Sequence, residues 1–249
     1  MSNRVLVVTG GARGIGAAIC RRLAKENYQI LVTYNRSQTS AQQLTDELSG
    51  ITNIVARQID VSSPTEVKDL FDFCQKAFGR LDVLVNCASH SSKTGWDVGL
   101  QEIDWNEWQR TIDVDLKGTM LCSHTAFELM KENGGKIVNF SSSAALYGDK
   151  PTYFYTAAKS AIVGITRAMA RMFAPTVQVN CIAPGSIATD WITNWKLNET
   201  DLQAIANESP SLRVGKPEEV AELVAFLASP QCTYVTGHTV IIDGGILML

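Results

Sequence analysis

Short runs of consecutive apolar residues alternate along this chain with longer stretches in which apolar positions recur every three or four residues. The first kind reads as buried strand, the second as amphipathic helix. The pattern predicts strand over Arg4–Thr9, helix over Gly14–Glu26, strand over Gln29–Tyr34, a helix near Thr39–Leu48 and a strand near Asn53–Gln58. It continues with helix Pro64–Phe78, strand Asp82–Asn86, a long helix Asn106–Lys131 and strand Lys136–Ser141. A helix carrying Tyr155 and Lys159, strand Val177–Ile182, helix Pro217–Ala228 and a last strand near Thr239–Asp243 close the series. Pro64 and Pro217 fall in first helical turns, where a missing N–H is tolerated, and Ser62 or Ser63 can cap the former. Strict alternation with such apolar strands predicts an α/β fold, a parallel sheet with helices on both faces, in a single domain over residues 1–249. One stretch breaks the rhythm. Ser186–Arg213, about 28 residues, is long enough to suggest a mobile segment over a site, a substrate lid near 187–213.

Composition narrows the class. The 249 residues are 45% hydrophobic and 19% charged, with a formal net charge of −3 and no basic run. That leaves no electrostatic case for nucleic acid. No apolar stretch approaches the roughly 18 residues that would span a membrane. Met1–Arg4 leads directly into VLVV, without the longer apolar region of a signal peptide, so a cytoplasmic protein is expected. Cys20, Cys74, Cys87, Cys122, Cys181 and Cys232 are scattered, with no CxxC pair, and read as free buried thiols. His90, His124 and His238 have no partners at metal-ligand spacing, so no metal is expected.

Chemistry concentrates in SSSAALYGDKPTYFYTAAK, Ser141 to Lys159. Tyr155 and Lys159 are four residues apart on a helix and project from one face. A phenol with a pKa of about 10 exchanges protons poorly at neutral pH unless a nearby cation favours the phenolate. Lys159 is placed to be that cation, and Ser142, just after a strand, can hold a substrate oxygen. The same spacing also occurs on solvated helix faces, so the pair alone decides little. A second motif, Thr9-Gly10-Gly11-Ala12-Arg13-Gly14-Ile15-Gly16, joins a strand to a helix. There backbone N–H groups and a helix N-terminus can meet a pyrophosphate. Its spacing is not GxGxxG, and glycines at such a turn can be structural. At the end of the second strand, where a carboxylate would select NAD, stand Tyr34-Asn35-Arg36. Arg13 and Arg36 are candidates for a 2′-phosphate, which favours NADP.

Together these motifs closely resemble the short-chain dehydrogenases/reductases, nearly end to end. The resemblance rests on TGGARGIG, Asp60-Val61, NCAS at Asn86–Ser89, Ser142, YTAAK at Tyr155–Lys159, PGSIAT at Pro184–Thr189 and DGG at Asp243–Gly245. It implies a seven-stranded Rossmann-type, doubly wound sheet and hydride transfer between a nicotinamide cofactor and an alcohol or ketone. RVGKPEEVAELVAFLAS and VTGHTVIIDGG look most like the 3-oxoacyl-carrier-protein reductase branch. By resemblance, Tyr155 is the general acid or base, Lys159 tunes it and holds the nicotinamide ribose, and Ser142 donates to the substrate oxygen. Gly10, Arg13, Gly14, Ile15, Gly16, Asn35 and Arg36 would line the phosphate and adenosine end. Asp60 and Val61 would hold the adenine, Asn86 and Ala88 would line the cleft, and Pro184, Gly185, Ile187 and Thr189 would fix the carboxamide. Asp243 reads better as a turn residue.

Three positions depart from the family pattern. Asp115 stands where an asparagine is usual, a residue whose backbone carbonyl holds a water behind the lysine; an ionised Asp115 would stabilise Lys159 as a cation. Ser89 replaces a glycine in NNAG. The loop Phe173–Thr176 carries no cation, which weakens the case for a docked carrier protein. The expected function is an NADPH-dependent reductase of a 3-oxoacyl thioester or another small ketone. An NADP-linked alcohol or sugar dehydrogenase is the alternative, and a cofactor-binding sensor without turnover is a third. Trp191 and Trp195, with Ile192 and Leu197, suit an apolar lid. Trp96, Trp105 and Trp108 suit ordinary packing, His90 could touch substrate, and His124 and His238 read as structural. Phe127, Leu129, Met130, Ile162, Ile165, Met169 and Phe173 offer more apolar surface than one sheet covers. The resemblance places these helices in a subunit interface and the closing ILML in another, so a homotetramer is expected.

Overall fold

Val5, Leu6, Val7 and Val8 are all completely buried, and their side chains alternate between two faces. Leu6 and Val8 join one apolar cluster with Ile19, Leu23 and Val224, while Val5 and Val7 join another with Phe71, Cys122 and Val179. A strand covered on both faces belongs at the centre of a parallel sheet. In the computed structural model, which describes residues 4–90, 103–149, 153–190 and 198–248, this strand is β1 (Arg4–Thr9). After it come α1 (Gly14–Ala24), β2 (Tyr28–Tyr34), α2 (Gln38–Leu48), β3 (Ile54–Gln58), α3 (Pro64–Phe78) and β4 (Val83–Asn86). The second half holds α4 (Trp105–Thr111), a π-helical turn Ile112–Lys117, α5 (Gly118–Met130), β5 (Gly135–Phe140) and α6 (Ala144–Tyr147). It ends with α7 (Tyr153–Met172), β6 (Val177–Pro184), α8 (Glu199–Asn207), α9 (Pro217–Ala228) and β7 (Thr239–Ile242).

The seven strands are parallel in the order β3-β2-β1-β4-β5-β6-β7. The chain winds outward from β1 to β3 and then crosses back to β4 on the other side of β1. A crevice therefore opens beyond the carboxyl ends of β1 and β4, where ligands bind in sheets of this kind. Helices α1, α2 and α9 cover one face, and α3, α5 and α7 the other. Among the described residues, no helix is long and apolar enough to cross a membrane.

Local chemistry explains the boundaries. Ser63 caps α3 by accepting from the Glu66 N–H at 3.4 Å, Pro64 occupies its first turn, and Gly79 ends it at φ +73°. The long helix expected over Asn106–Lys131 is instead α4 and α5 joined by the π turn. The wider turn shifts the helical phase, so Asp115 points into the protein and Gly118 packs against Val61. A Cβ on Gly118 would lie 2.8 Å from Val61 Cγ2. The stretch Ser186–Arg213 contains α8, begun by a reciprocal capping box between Asn198 and Asp201.

Two packing expectations need correction. Met130, Ile162, Met169 and Phe173 are buried within the chain, and Phe127 stacks on Phe173 with ring centroids 4.2 Å apart. Met130, Met169 and Phe173 join the apolar cluster between the sheet and helices α3, α5 and α7, so the chain itself covers them, while Phe127, Leu129 and Ile165 stay partly exposed. Trp105 is 66% exposed and touches Trp108 edge-on, rather than packing inside. Five cysteines are buried and Cys87 is half-buried, all as free thiols. Trp96, Trp191, Ile192, Trp195 and Leu197 lie outside the described residues.

Candidate active site

Lys159 is almost wholly enclosed, with only 3% of its surface exposed. Helix α7 carries its side chain inward to the end of β5, where Nζ donates to the Phe140 carbonyl at 3.2 Å. The Asp115 carboxylate on the π turn lies 3.0 Å from the same nitrogen. One helical turn back, the Tyr155 ring centroid is 5.3 Å from Nζ. The Ser142 hydroxyl hydrogen-bonds the Tyr155 phenol. Three consecutive serines lock this corner together. Ser141 Oγ donates to the Lys159 carbonyl at 2.8 Å, the Ser143 N–H donates to the Pro184 carbonyl at 2.9 Å, and Ser142 Oγ accepts from the Ala144 N–H at 3.3 Å. Strands β5 and β6 and helix α7 are thus tied at the point where Ser142, Tyr155 and Lys159 converge.

The electrostatics differ from the simple expectation. Burial pushes the Tyr155 phenol above its ordinary range; Lys159 pulls it down, Asp115 pushes it up again, and Ser142 lowers it by hydrogen bonding. Lys159 acts in the expected direction, yet burial outweighs it. Burial also works against the charge of Lys159, but Asp115 and Tyr155 more than offset this and hold the ammonium above the usual lysine range. Asp115 has no exposed surface. Its Oδ2 accepts from Ser89 Oγ at 2.6 Å, its Oδ1 from the His90 N–H at 2.7 Å, and its carbonyl from Thr119 Oγ1 at 2.6 Å. The side chain of Asp115, not its carbonyl, faces the lysine. The His90 ring is turned toward α4, with Nε2 2.9 Å from Glu107 Oε2.

Beside this corner the glycine-rich turn after β1 lies close against the turn after β4. Gly10 sits at φ +63°, and a Cβ there would come within 2.7 Å of Ala88 Cα; a Cβ on Gly16 would lie 2.6 Å from the Gly10 carbonyl oxygen. The turn is therefore compact enough for backbone N–H groups to approach a ligand. No side chain caps α1, whose N-cap is Arg13, so its first turn presents N–H groups such as that of Ile15, while the Gly16 N–H turns to the Cys87 thiol. Opposite, Thr189 closes on Gly14: a Cβ on that glycine would be 3.3 Å from Thr189 Cγ2. An anionic dinucleotide fits this donor set.

Comparison with known proteins agrees with the geometry. Residues 10–247 match the family model described as enoyl-(acyl carrier protein) reductase. A 3-oxoacyl-(acyl-carrier-protein) reductase of Synechocystis sp. is 37% identical, across 100% of this chain and 98% of the relative. The chain belongs to the short-chain dehydrogenase/reductase family. Solved structures are similar to it over nearly their whole length. A short-chain dehydrogenase/reductase of Brucella melitensis, described as a glucose/ribitol dehydrogenase, superposes with a TM-score of 0.91 at 31% identity, covering 100% of this chain and 98% of its own. The solved structure of ElxO with NADP bound gives a TM-score of 0.88 at 30% identity, over 98% of each chain.

Within this family member, the residues picked out by motif are distributed as follows. Arg13, Asn35 and Arg36 are exposed, in the turns that follow β1 and β2. Asp60 Oδ1 accepts from the Ser62 N–H and Oγ, at 2.9 and 2.6 Å, and shapes the turn beside the buried Val61. Ala88 N–H, like that of Cys87, is held by Thr9 Oγ1 at 3.2 Å. Gly185 packs against Asp243, where a Cβ would lie 2.6 Å from Asp243 Cβ, and Ile187 bridges to Gly215. Asp243 itself accepts from the N–H groups of Gly245 and Leu247, which is the turn role read from its position. Asn86 is nearly buried, and its amide donates to Ser123 Oγ and Asn139 Oδ1, both at 2.9 Å. Asn139 in turn donates to Thr166 Oγ1 at 2.9 Å. This network beneath the site had no signature in the linear order, because its members are dispersed over four elements.

Proposed function

We propose that this oxidoreductase is an NADPH-dependent carbonyl reductase acting on a 3-oxoacyl thioester or a similar small ketone. The observation that carries the reading is the convergence of Ser142 and Tyr155 with a buried Lys159 ammonium, beside a glycine-rich turn. A nicotinamide cofactor supplies or accepts the hydride when bound. Gly10, Gly14, Ile15 and Gly16 hold its pyrophosphate, Asp60 and Val61 hold its adenine, and Ala88 and the backbone of Asn86 line the cleft. Pro184, Gly185, Ile187 and Thr189 orient the carboxamide.

Tyr155 gives its phenolic proton to the substrate oxygen in reduction and takes it back in oxidation. Ser142 donates to the same oxygen as negative charge develops there. Lys159 hydrogen-bonds the ribose and keeps a positive charge beside the phenol. A phenol raised by burial stays protonated at neutral pH, which suits the acid of a reduction. Arg13 and Arg36, exposed and in no ion pair among the described residues, are available to a 2′-phosphate.

The same chemistry run in reverse, an NADP-linked alcohol or sugar dehydrogenase, is the second reading, favoured by the similarity to the Brucella melitensis protein described as a glucose/ribitol dehydrogenase. The whole chain serves as one catalytic unit, with 187–213 as its substrate-side segment. It works in the cytoplasm as a homotetramer, a state supported by the exposed Met120 and Met172 on α5 and α7 and Met248 near the carboxyl end.

The test is nicotinamide absorbance with a panel of ketones and polyols, with NADPH and NADH compared. Reduction of a 3-oxoacyl thioester supports the first reading, and oxidation of a polyol the second. Thioesters of acyl carrier protein and of coenzyme A, compared directly, decide whether a carrier docks. Tyr155→Phe should lower kcat by about 10²–10⁴. Turnover at the wild-type rate in that variant would overturn the assignment.

A further inference from the structure

Two of the three departures from the family pattern, Ser89 and Asp115, touch one another. They are 26 positions apart in the chain, one just after β4 and the other in the π turn, yet Ser89 Oγ donates to Asp115 Oδ2 at 2.6 Å. The same oxygen faces Lys159 Nζ at 3.0 Å, with neither side chain meaningfully exposed. Oδ1 is held by the His90 N–H at 2.7 Å. Both carboxylate oxygens therefore have fixed partners, and the carboxylate has a single orientation.

We infer that Ser89 is a positioning residue: with the His90 backbone it aims the Asp115 carboxylate at Lys159, so that a fixed negative charge stands behind the lysine and keeps Tyr155 in the protonated form that carbonyl reduction needs. This rests on Tyr155 as the acid of the reaction. The physical reason is charge balance in a site of low dielectric. Lys159 alone would favour the phenolate; a carboxylate 3.0 Å behind it cancels much of that field at Tyr155. Tyr155 then keeps its proton until a carbonyl oxygen accepts it.

The other ionisable groups around this corner do not supply the same bias. Burial pushes the Cys87 thiol up to about 11, with Lys159 lowering it, so it stays neutral at neutral pH. The His90 ring and Glu107 pair with each other at 2.9 Å on the α4 side. Asp113 and Lys117, on the same turn as Asp115, pair with one another at 3.8 Å. Asp115 is the charge that touches Lys159.

The test reads ionisation of the phenol directly in the cofactor-free protein, by near-ultraviolet difference absorbance against Tyr155→Phe in each background. Circular dichroism verifies that the chain is folded across the pH range used. Asp115→Asn should move the Tyr155 midpoint to lower pH, and Ser89→Ala should move it the same way by a smaller amount, because Oδ2 is then free to turn from Lys159. Ser89→Thr, which restores the hydroxyl, should return the midpoint to the wild-type value. In turnover, Asp115→Asn should shift the acid limb of alcohol oxidation to lower pH. If Asp115→Asn does not fold, the Ser89 pair decides alone: a downward shift with alanine and its reversal with threonine support the inference. A midpoint left unchanged by both variants, or moved to higher pH by Ser89→Ala, would overturn it. Full turnover in Tyr155→Phe would instead remove the reading of Tyr155 as the acid, leaving the phenol titration as a separate result.

Discussion

Gly10 lies against Ala88 so closely that a single added Cβ would stand 2.7 Å from the Ala88 Cα and 2.9 Å from its nitrogen. This contact joins the turn after β1 to the turn after β4, the two strands that flank the switch point of the sheet. The glycine also holds φ +63°, a region in which a side chain is strained. Gly10→Ala should destabilise the chain by about 1–3 kcal/mol and weaken nicotinamide cofactor binding. Denaturant unfolding and cofactor fluorescence titration read the two effects. Unchanged affinity and stability would mean that the groove is not built on this contact.

The turns after β1 and β2 offer a cleaner separation. Arg13 and Arg36 are both exposed. If they meet a 2′-phosphate, replacing either with alanine should lower kcat/KM for NADPH by about 10- to 100-fold, the equivalent of one charge-assisted hydrogen bond. The value for NADH should stay within about twofold, since a factor of ten corresponds to 1.4 kcal/mol and no contact is lost there. Equal losses for both cofactors would assign the arginines to general structure.

Beneath the site, Asn139 connects Asn86 to Thr166 by two hydrogen bonds of 2.9 Å. Asn139→Ala leaves buried polar groups on both sides without that partner, at about 1–3 kcal/mol each. A double-mutant cycle with Thr166→Ala should show a coupling of about 0.5–3 kcal/mol by denaturant unfolding. Additive losses would show that the network is not coupled.

Alkaline stability depends on Tyr28. It is fully buried, donates to the Ala228 carbonyl at 3.1 Å and carries the Arg4 guanidinium 4.2 Å from its ring centroid. Burial pushes the phenol up to about 12, Arg4 opposing and Glu26 and Asp82 assisting. An unfolded phenol ionises near 10. Above that pH the unfolded chain has released a proton that the native chain keeps, so stability falls as pH rises. The contribution is whole below about pH 10 and is gone once the folded value of about 12 is passed. Tyr28→Phe should cost about 1 kcal/mol at neutral pH for the lost hydrogen bond. It should also remove roughly 2–3 kcal/mol of the decline seen through the alkaline range. Urea unfolding at a series of pH values measures both; an unaltered alkaline slope would contradict the prediction.

The strands and most helices were legible because each is set by local rules. Val5–Val8 announce a doubly covered strand, Ser63-Pro64 starts α3, and Gly79 ends it. Helix α8 had a signal too, in the spacing of Asn198 and Asp201, but the length of the surrounding irregular stretch obscured it. The π turn had none, since inserting one residue into a helical turn leaves the apolar pattern on either side intact. The burial of Met130, Ile162, Met169 and Phe173 was equally hidden. It depends on how α3, α5 and α7 share one face of the sheet, which no periodicity within any of them reveals.

The order of residues by itself determined the kinds of elements, the glycine turn, and the one-turn spacing of Tyr155 and Lys159, because these depend on backbone preferences within a few positions. Only the tertiary structure decided what surrounds them. It turned the Asp115 carboxylate rather than its carbonyl toward Lys159, set Ser89 on that carboxylate, and made burial outweigh the lysine at Tyr155. Charge and desolvation act through space over a few ångströms, and the groups that meet there come from strands and helices far apart along the chain.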